Sequence, residues 1–421
     1  MATAPFWINR TAFLGSLPGP SRASERSAAG REGVMTKGGL ETEALGVERM
    51  SEHVRDWADL VQRAVEANGF LEPGFALPAA RHFPAKSRPV FVVVWKSSAA
   101  QGARRLIALF PIVAPGFSLG AATARGWLHK QAALATPLLD RDCAEEAAAA
   151  LLDWFAGDRS GAGAVLIPKT PMSGAVFAAF TRAARATGRA WRVLDSHERA
   201  ALLSGGDPEE VWTRTSSRKA LSEMRRRRRR LEEAGELRRV IYSTPAEIPR
   251  ATEDFLALEA SGWKAERGAL LGHPSLATFV RSATRLLARE GKIRIHSLEL
   301  AGKPIAMGVV IESVGRSYFW KIAYDESLRA QAPGVQLVYA ITETQSERDD
   351  IGLTDSCAIP GHYMIERCWP DRLVVCDLMV QAKADGVTQF AEAHAKEVWR
   401  RRLREVAKSA YHRLVSHRKQ R

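Results

Sequence analysis

Strand-like and helix-like segments follow one another in the same order in the two halves of this sequence. In the first half, β-forming runs at 90–95 and 106–113 are followed by a helical segment and then further strand. In the second half, three β-forming runs between residues 293 and 324 precede a helical pattern at 335–348. A strand meander followed by a crossover helix predicts a mixed, mostly antiparallel sheet with helices on its faces. We therefore expect an α/β (α+β) fold with two domains of similar design.

Length and composition divide the chain into four segments. The 421 residues are enough for two domains. Residues 1–45 are rich in Gly, Ser, Ala and Arg without a sustained period, so we expect a disordered extension there. The rest is predicted to comprise a first domain at 46–205, a second domain at 206–395 and a basic helix or tail at 396–421.

The net charge of +14 is concentrated in two segments. Residues 214–230 carry nine basic groups and one acidic group, and residues 396–421 carry ten basic and two acidic groups. The first segment contains six consecutive arginines, Arg225–Arg230, on a predicted amphipathic helix. This helix either contacts phosphates or another polyanion, or is a solvated face paired with Glu232 and Glu233. The tail either touches an anionic surface or packs on the body of the protein.

Several protein classes are disfavoured by what the sequence lacks. No stretch reaches the roughly 18 uncharged apolar residues of a membrane span, and no secretory signal pattern begins the chain. Four cysteines in a chain of this length fit a reducing compartment rather than a disulfide framework. We expect a cytoplasmic protein, with peripheral contact to the inner face of the membrane as an alternative.

The sequence does not support a serine hydrolase, a zinc site or a nucleotide-binding motif. Gly116–Gly120 matches the G-x-S-x-G motif of serine hydrolases, but the helix that must follow Ser118 is missing. Cys357, His362 and Cys368 lack the spacing of a zinc site, so no metal is expected. Neither a P-loop nor a dinucleotide-binding fingerprint occurs.

The segment 316–338 combines features of a phosphate-binding turn. A β-forming run ends at Tyr324, a basic turn contains Arg329 and Gly334, and a helical pattern follows. A helix N-terminus presents free backbone N–H groups and a positive dipole end, which favours a pyrophosphate. The alternative is an ordinary strand-to-helix turn that needs Gly334 only for its geometry.

A series of short motifs is distributed in order between residues 68 and 380. They are Phe70–Phe75, Leu77–Arg81, Thr136–Asp140, Leu231–Gly235, Leu258–Trp263, Gly302–Ala306, Ala332–Val335 and Asp355–Pro360. Together they resemble the GNAT acetyltransferase superfamily. The likeness is strongest to the large bacterial branch of cellulose-biosynthesis-type acetyltransferases, which is related to the Fem peptidoglycan aminoacyltransferases.

The resemblance implies two tandem GNAT-like domains, of which the C-terminal one is catalytic and the N-terminal one a degenerate copy. It also implies acetyl-CoA or another acyl-CoA as co-substrate. In the family's pyrophosphate loop, [QR]-x-x-G-x-[GA], Arg329 fills the first position and Gly334 the last, whereas Ala332 replaces a glycine and Pro333 removes one N–H donor. The implied cofactor-binding residues are Tyr324, Arg329, Gln331, Ala332, Gly334, Val335 and Gln336.

The resemblance further implies direct attack of an amine on the thioester. A backbone N–H near Tyr324 would polarise the thioester oxygen, and a general base would take the amine proton. The candidates for catalysis are Asp355, Asp325 and Tyr363, and those for the acceptor cleft are Glu259, Trp263 and His362. For each carboxylate, a structural cap or a salt bridge is the competing interpretation.

The sequence therefore predicts an acyl-CoA-dependent N-acetyltransferase. Its acceptor would be an amine, such as an amino sugar or a precursor of the cell envelope or of a polysaccharide. One alternative is Fem-like transfer of an aminoacyl group from tRNA, with the basic segments holding RNA phosphates. The other is a non-catalytic partner of an envelope-polysaccharide system.

Overall fold

A single sheet runs through the residues that the computed structural model describes, which are 34–84, 88–97, 104–113, 121–157, 161–262 and 268–419. Its fourteen strands are β1 (Met35–Lys37), β2 (Leu40–Leu45), β3 (Pro89–Ser97), β4 (Arg104–Val113), β5 (Ala122–Gly126), β6 (Leu138–Leu139), β7 (Ala162–Pro171), β8 (Trp191–Leu203), β9 (Leu237–Tyr242), β10 (Ile293–Leu300), β11 (Lys303–Ser313), β12 (Arg316–Tyr324), β13 (Leu353–Asp355) and β14 (Asp371–Gln381).

The strand order is β1-β2-β3-β4-β5-β7-β14-β8-β13-β12-β11-β10-β9, with β6 paired to β4. Within the described residues, β5 pairs with β7 and β12 with β13 in parallel, and the other named pairs are antiparallel. The mixed, mostly antiparallel sheet predicted from the sequence is confirmed.

Helices pack on both faces of this sheet. They are α1 (Val47–Glu52), α2 (Val54–Arg63), α3 (Pro73–His82), α4 (Ala144–Ala156), α5 (Ala175–Ala186), α6 (Pro208–Thr215), α7 (Arg218–Ala234), α8 (Ile248–Ser261), α9 (Pro274–Arg289), α10 (Pro333–Ser346), α11 (Tyr363–Glu366) and α12 (Val387–Lys419). Successive residues of β3 alternate between two cores, since Phe91 and Val93 belong to one and Val92 and Val94 to the other. Alternation of this kind follows from the two-residue period of a strand and requires that both faces be covered.

The larger core joins the two halves of the chain. Phe75 of α3 is fully buried, and its ring lies 5.2 Å from that of Phe279 on α9 and 5.3 Å from that of Trp320 on β12. Both contacts are edge-to-face, a favourable arrangement for aromatic rings. The first and second halves therefore share one hydrophobic core around β12.

The segment predicted as a disordered extension at 1–45 is partly ordered, which corrects that prediction. Residues 35–37 and 40–45 form β1 and β2, joined at Gly38 and Gly39, both of which have positive φ angles. β2 pairs with β3 and buries Leu45 completely. Composition did not predict this hairpin, because β2 is stabilised by pairing with β3, a strand that is distant in the chain. Residues 1–33 lie outside the described residues.

Strand β14 is found in a different part of the sheet from the one its sequence position suggests. It is inserted between β7 and β8, antiparallel to both, although it follows the whole second meander in the chain. β14, from the second half of the chain, therefore completes the part of the sheet formed by the first half. The boundary at 205/206 between two domains stays a prediction.

The C-terminal helix begins before the predicted tail. α12 runs continuously from Val387 to Lys419, and its first turns pack on β7 and β14. Among the described residues, none of the helices combines the length and the apolar character needed to cross a membrane.

Because β10 buries a histidine, we expect the stability of the fold to depend on pH. Burial, followed by the charges of Arg294 and Arg348, lowers the pKa of His296 to about 3. The unfolded chain takes up this proton near pH 6.5 and the folded chain does not, so stability is complete above that pH and is lost as the pH falls. The loss is up to about 1.4 kcal/mol per pH unit. Urea unfolding at pH 7 and pH 5 should show a smaller loss in His296→Leu than in the parent. An equal loss in both proteins would contradict this prediction.

Candidate functional site

The candidate site begins where two parallel strands separate. β12 pairs with β13 over only Arg316–Tyr318 and Leu353–Asp355 in the described residues. β13 ends there, whereas β12 continues to Tyr324 with its other edge still bonded to β11. On the side that faces away from β11, none of the other described strands pairs with β12 between Phe319 and Tyr324.

The local sequence bends β12 and leads it into a tight turn. Trp320 is the extra residue of a bulge opposite Val309 and Val310, and bulges re-aim the residues around them. Asp325 then caps a 3-10 helix at Glu326–Gln331, because its carboxylate accepts hydrogen bonds from the N–H of Ser327 at 2.9 Å and from the Ser327 hydroxyl at 2.6 Å. These are the contacts of a helix cap, which was the alternative to a catalytic role for Asp325.

The turn ends at the N-terminus of α10. Ala332 adopts the left-handed conformation, with φ 52° and ψ 52°, and its carbonyl accepts from the N–H groups of both Val335 and Gln336. Pro333 has no N–H. Of the backbone N–H groups at 333–336, that of Gly334 alone has no acceptor among the described residues. This end of α10 fits an anion, but with fewer backbone donors than the implied loop has.

Gly334 also brings Tyr324 into the site. A Cβ added at Gly334 would lie only 3.0 Å from Cδ1 of Tyr324, so the ring packs directly against the first turn of α10. Burial, with a smaller contribution from Glu326, raises the pKa of Tyr324. Its hydroxyl is therefore protonated at neutral pH and can donate a proton or a hydrogen bond.

The remaining residues implied to bind the cofactor differ in their availability. Arg329 is exposed, and Gln331 and Val335 are partly buried. Gln336 is buried, and its Nε2 donates to the carbonyl of Met224 on α7 at 2.9 Å. Gln336 therefore connects α10 to the arginine-rich helix.

Asp355 lies in a buried ion pair. Arg199 of β8 binds its carboxylate, and the two side chains are only 3% and 2% exposed. Arg199 also donates to the carbonyl of Ala133 at 3.1 Å, and Asp355 accepts from the N–H of Cys357 at 2.8 Å. Asp355 is opposite Tyr318, six residues before Tyr324, so the two ends of the site are about 20 Å apart at roughly 3.3 Å per residue.

The other residues proposed for catalysis or acceptor binding are distributed around the site. Tyr363 is 67% exposed, and the Arg367 guanidinium lies 3.7 Å from the centre of its ring. His362 stands at the N-cap of α11. Glu259 is buried, accepts from the N–H of Leu270 at 2.8 Å, and lines a small recess with Gly262, Tyr324 and Glu326. The structure thus brings Glu259 to Tyr324, whereas Asp355 lies at the other end of β12.

Two predicted features fall outside the described residues. These are Trp263 and the segment Gly116–Gly120 that contains Ser118.

Among the residues that are described, no group of three or more His, Cys, Asp and Glu side chains could hold a metal ion. Burial raises the pKa of the Cys368 thiol to about 12.

Sequence analysis missed two contributors to this region. The first is Arg199, which is 156 residues from Asp355 in the chain and lies next to a strand predicted in the other half. The second is the position of α7, which contacts the 3-10 turn at Glu326–Gln331. The run of arginines pointed to a charged helix, but only the packing shows that it lies beside the turn at Glu326–Gln331.

Residues 218–356 match the model of the acetyltransferase (GNAT) domain. No curated protein sequence matches the chain. Among solved structures, FemX is similar at 10% identity over 78% of this chain and 95% of its own, with a TM-score of 0.52. The C-terminal domain of a putative lysylphosphatidylglycerol synthetase from Agrobacterium fabrum is similar at 13% identity over 82% of this chain and 96% of its own, with a TM-score of 0.47.

These similarities divide into two kinds. The match at 218–356 covers α7, the second meander, α10 and β13, and it identifies an acyltransferase domain of the GNAT type. The likeness to FemX, at 10% identity, is one of fold. The turn at Arg329, the N-terminus of α10 and Asp355 lie inside the matched residues, whereas Arg199, His362 and Tyr363 lie outside them.

Proposed function

We propose that this chain, with its acyltransferase domain at 218–356, transfers an acyl group from an acyl-CoA to an amine. The observation that carries the proposal is the continuity of the site. β12 continues beyond the end of β13 and runs directly into the turn at Arg329 and the N-terminus of α10. A long thioester donor with a charged end requires such an arrangement.

The phosphates of the donor would lie at the turn. The N–H of Gly334, the dipole of α10 and the guanidinium of Arg329 are three sources of positive potential within the segment 329–334. Since Pro333 removes one donor, Arg329 carries more of the binding than it would in a glycine-rich loop. The pantetheine arm would then extend along β12 beyond the end of β13.

Backbone N–H groups near Tyr324, at the end of β12, would bind the thioester oxygen. They would stabilise the negative charge that develops when the amine nitrogen attacks the carbonyl carbon. A C–N bond forms, the C–S bond breaks, and CoA leaves as a thiolate that needs a proton. Tyr324 is suited to donate it, because its hydroxyl stays protonated and its ring is held against α10.

Both carboxylates proposed as the base that takes the amine proton are engaged in other contacts. Asp355 is held by Arg199, and Asp325 is occupied as a cap. We propose that the amine loses its proton through water to Asp325, which directly follows Tyr324, with Tyr363 and His362 bordering the acceptor. Asp355, about 20 Å from Tyr324 at the other end of β12, is too far away for this step. We retain an amino sugar or an envelope or polysaccharide precursor as the acceptor, in line with the cellulose-biosynthesis-type branch that the motifs resemble.

A second candidate function is aminoacyl transfer from tRNA, and the position of α7 favours it. The helix contacts the turn beside the donor site and exposes Arg225, Arg226, Arg229 and Arg230. Two of them are paired with carboxylates, Arg225 with Glu209 and Arg226 with Glu223. An RNA phosphate backbone could bind along this face, and such binding would weaken steeply as salt is added.

A donor assay separates the two functions. The chain is incubated with acetyl-CoA or with aminoacyl-tRNA and a panel of amino sugars and diamines. Release of CoA thiol that depends on both protein and amine, with an N-acetylated product seen by mass spectrometry, supports the first function. Acyl transfer from tRNA alone, abolished at high salt, would replace it with the second.

A further inference from the structure

Helix α12 has two dissimilar parts. Near its start, Phe390 and Ala393 are buried against the sheet. Glu397 is 1% exposed and binds Arg125 and Arg400. Arg401 lies 2.7 Å from Asp377. These contacts attach the helix to β5, β7 and β14 on one side.

The opposite side of the same helix carries an exposed apolar stripe. Trp399, Leu403 and Val406 are 65%, 46% and 66% exposed. Their spacings of four and three residues place them on one face at about 100° per residue. By the same geometry that face points away from Ala393 and Glu397, which contact the body.

Charge determines what could cover this stripe. Residues 396–421 carry ten basic and two acidic groups, and Lys396 and Arg402 lie on either side of the stripe. A second copy of the helix would bring two strongly positive segments together, which is unfavourable. A nucleic-acid backbone would satisfy the charges but would leave the tryptophan, leucine and valine without an apolar partner. An anionic lipid bilayer supplies both a negative surface and an apolar layer beneath it.

We propose that the distal part of α12 binds the surface of an anionic membrane, with Trp399, Leu403 and Val406 inserted among the headgroups. Tryptophan favours this interfacial depth because its ring is largely apolar and its N–H is polar. The basic residues along the helix add electrostatic attraction, which salt screens. The proximal part, fixed by Glu397 and Arg401, connects this surface to the sheet. The inference does not depend on which acyl donor the protein uses.

Vesicle co-sedimentation of the full chain tests the proposal. Vesicles of phosphatidylcholine are compared with vesicles in which phosphatidylglycerol replaces part of it. The combined change Trp399→Ser and Leu403→Ser is compared with Val387→Ser, which removes an apolar side chain of 66% exposure from the start of the same helix. The parent and Val387→Ser should bind the anionic vesicles equally. The combined variant should bind them about a hundredfold more weakly, since the loss of each of the two large apolar side chains lowers the affinity by about tenfold or more.

Every other outcome is informative. Equal binding by the combined variant would overturn the proposal, because the apolar stripe would then have no role. Absence of binding by the parent would also overturn it. Binding to tRNA or polyphosphate in place of vesicles, unaffected by the serine changes, would identify α12 as a polyanion-binding helix only. Unchanged thermal stability of the combined variant verifies that the body of the protein is intact.

Discussion

Replacing Arg199 by alanine is expected to lower the free energy of unfolding by about 3–5 kcal/mol. The change removes the partner of the Asp355 carboxylate, which is 2% exposed and would remain as a buried charge without a cation. It also removes the hydrogen bond from Arg199 to the carbonyl of Ala133. Because the pair joins β8 to β13, the loss falls on the strand that ends at the candidate site. Denaturant unfolding of parent and variant measures it.

A control for this prediction lies on the same strand. Arg192 of β8 is exposed, so Arg192→Ala should change the free energy of unfolding by no more than about 0.5 kcal/mol. A loss below about 1 kcal/mol in Arg199→Ala would contradict the account. It would mean that water or another cation reaches Asp355.

Replacing Arg329 by alanine is expected to weaken acetyl-CoA binding about tenfold or more. A hydrogen bond between charged groups contributes about 1.5–3 kcal/mol, and 1.4 kcal/mol corresponds to a factor of ten in the dissociation constant. The effect should exceed that of one arginine in a glycine-rich cradle, because Pro333 and the hydrogen bonds to the Ala332 carbonyl leave few backbone donors. Isothermal titration calorimetry of both proteins measures the ratio.

The stability of the free protein separates a local effect from misfolding. Arg329 is exposed, so Arg329→Ala should melt at the same temperature as the parent in the absence of ligand. Arg250 on α8 has a side chain that is 90% exposed, and Arg250→Ala serves as a matched loss of one positive charge away from the turn. Equal acetyl-CoA affinity in Arg329→Ala and Arg250→Ala would remove Arg329 from the proposed donor site.

Periodicity predicted much of the fold, because many strands are marked by local patterns. The hairpin of β3 and β4 and the meander of β10–β12 appear near their predicted positions, and α10 begins at Pro333 rather than at 335. What periodicity could not predict is pairing between distant segments. β14 is inserted between β7 and β8, and β2 is paired with β3, through contacts that leave no local pattern.

The candidate site likewise has one part that the local sequence predicts and another that depends on tertiary packing. The turn at Arg329–Gly334 is contiguous in the chain, so its residue types alone indicated a phosphate-binding function. The Arg199–Asp355 pair and the contact of α7 with the turn depend on tertiary packing. For that reason the sequence left Asp355 as either a catalytic base or a salt-bridge partner, and only the structure identifies Arg199 as the residue that binds it.

The measurement that tests the central claim most directly is a titration of the parent chain with acetyl-CoA, followed by calorimetry and by thermal melting. The account predicts saturable binding and a rise in melting temperature, since a ligand at a hundredfold excess over its dissociation constant stabilises the folded state by about 2.7 kcal/mol. Neither heat nor a melting shift at millimolar acetyl-CoA would contradict it. The turn at Arg329 and the end of β12 would then not be an acetyl-CoA site.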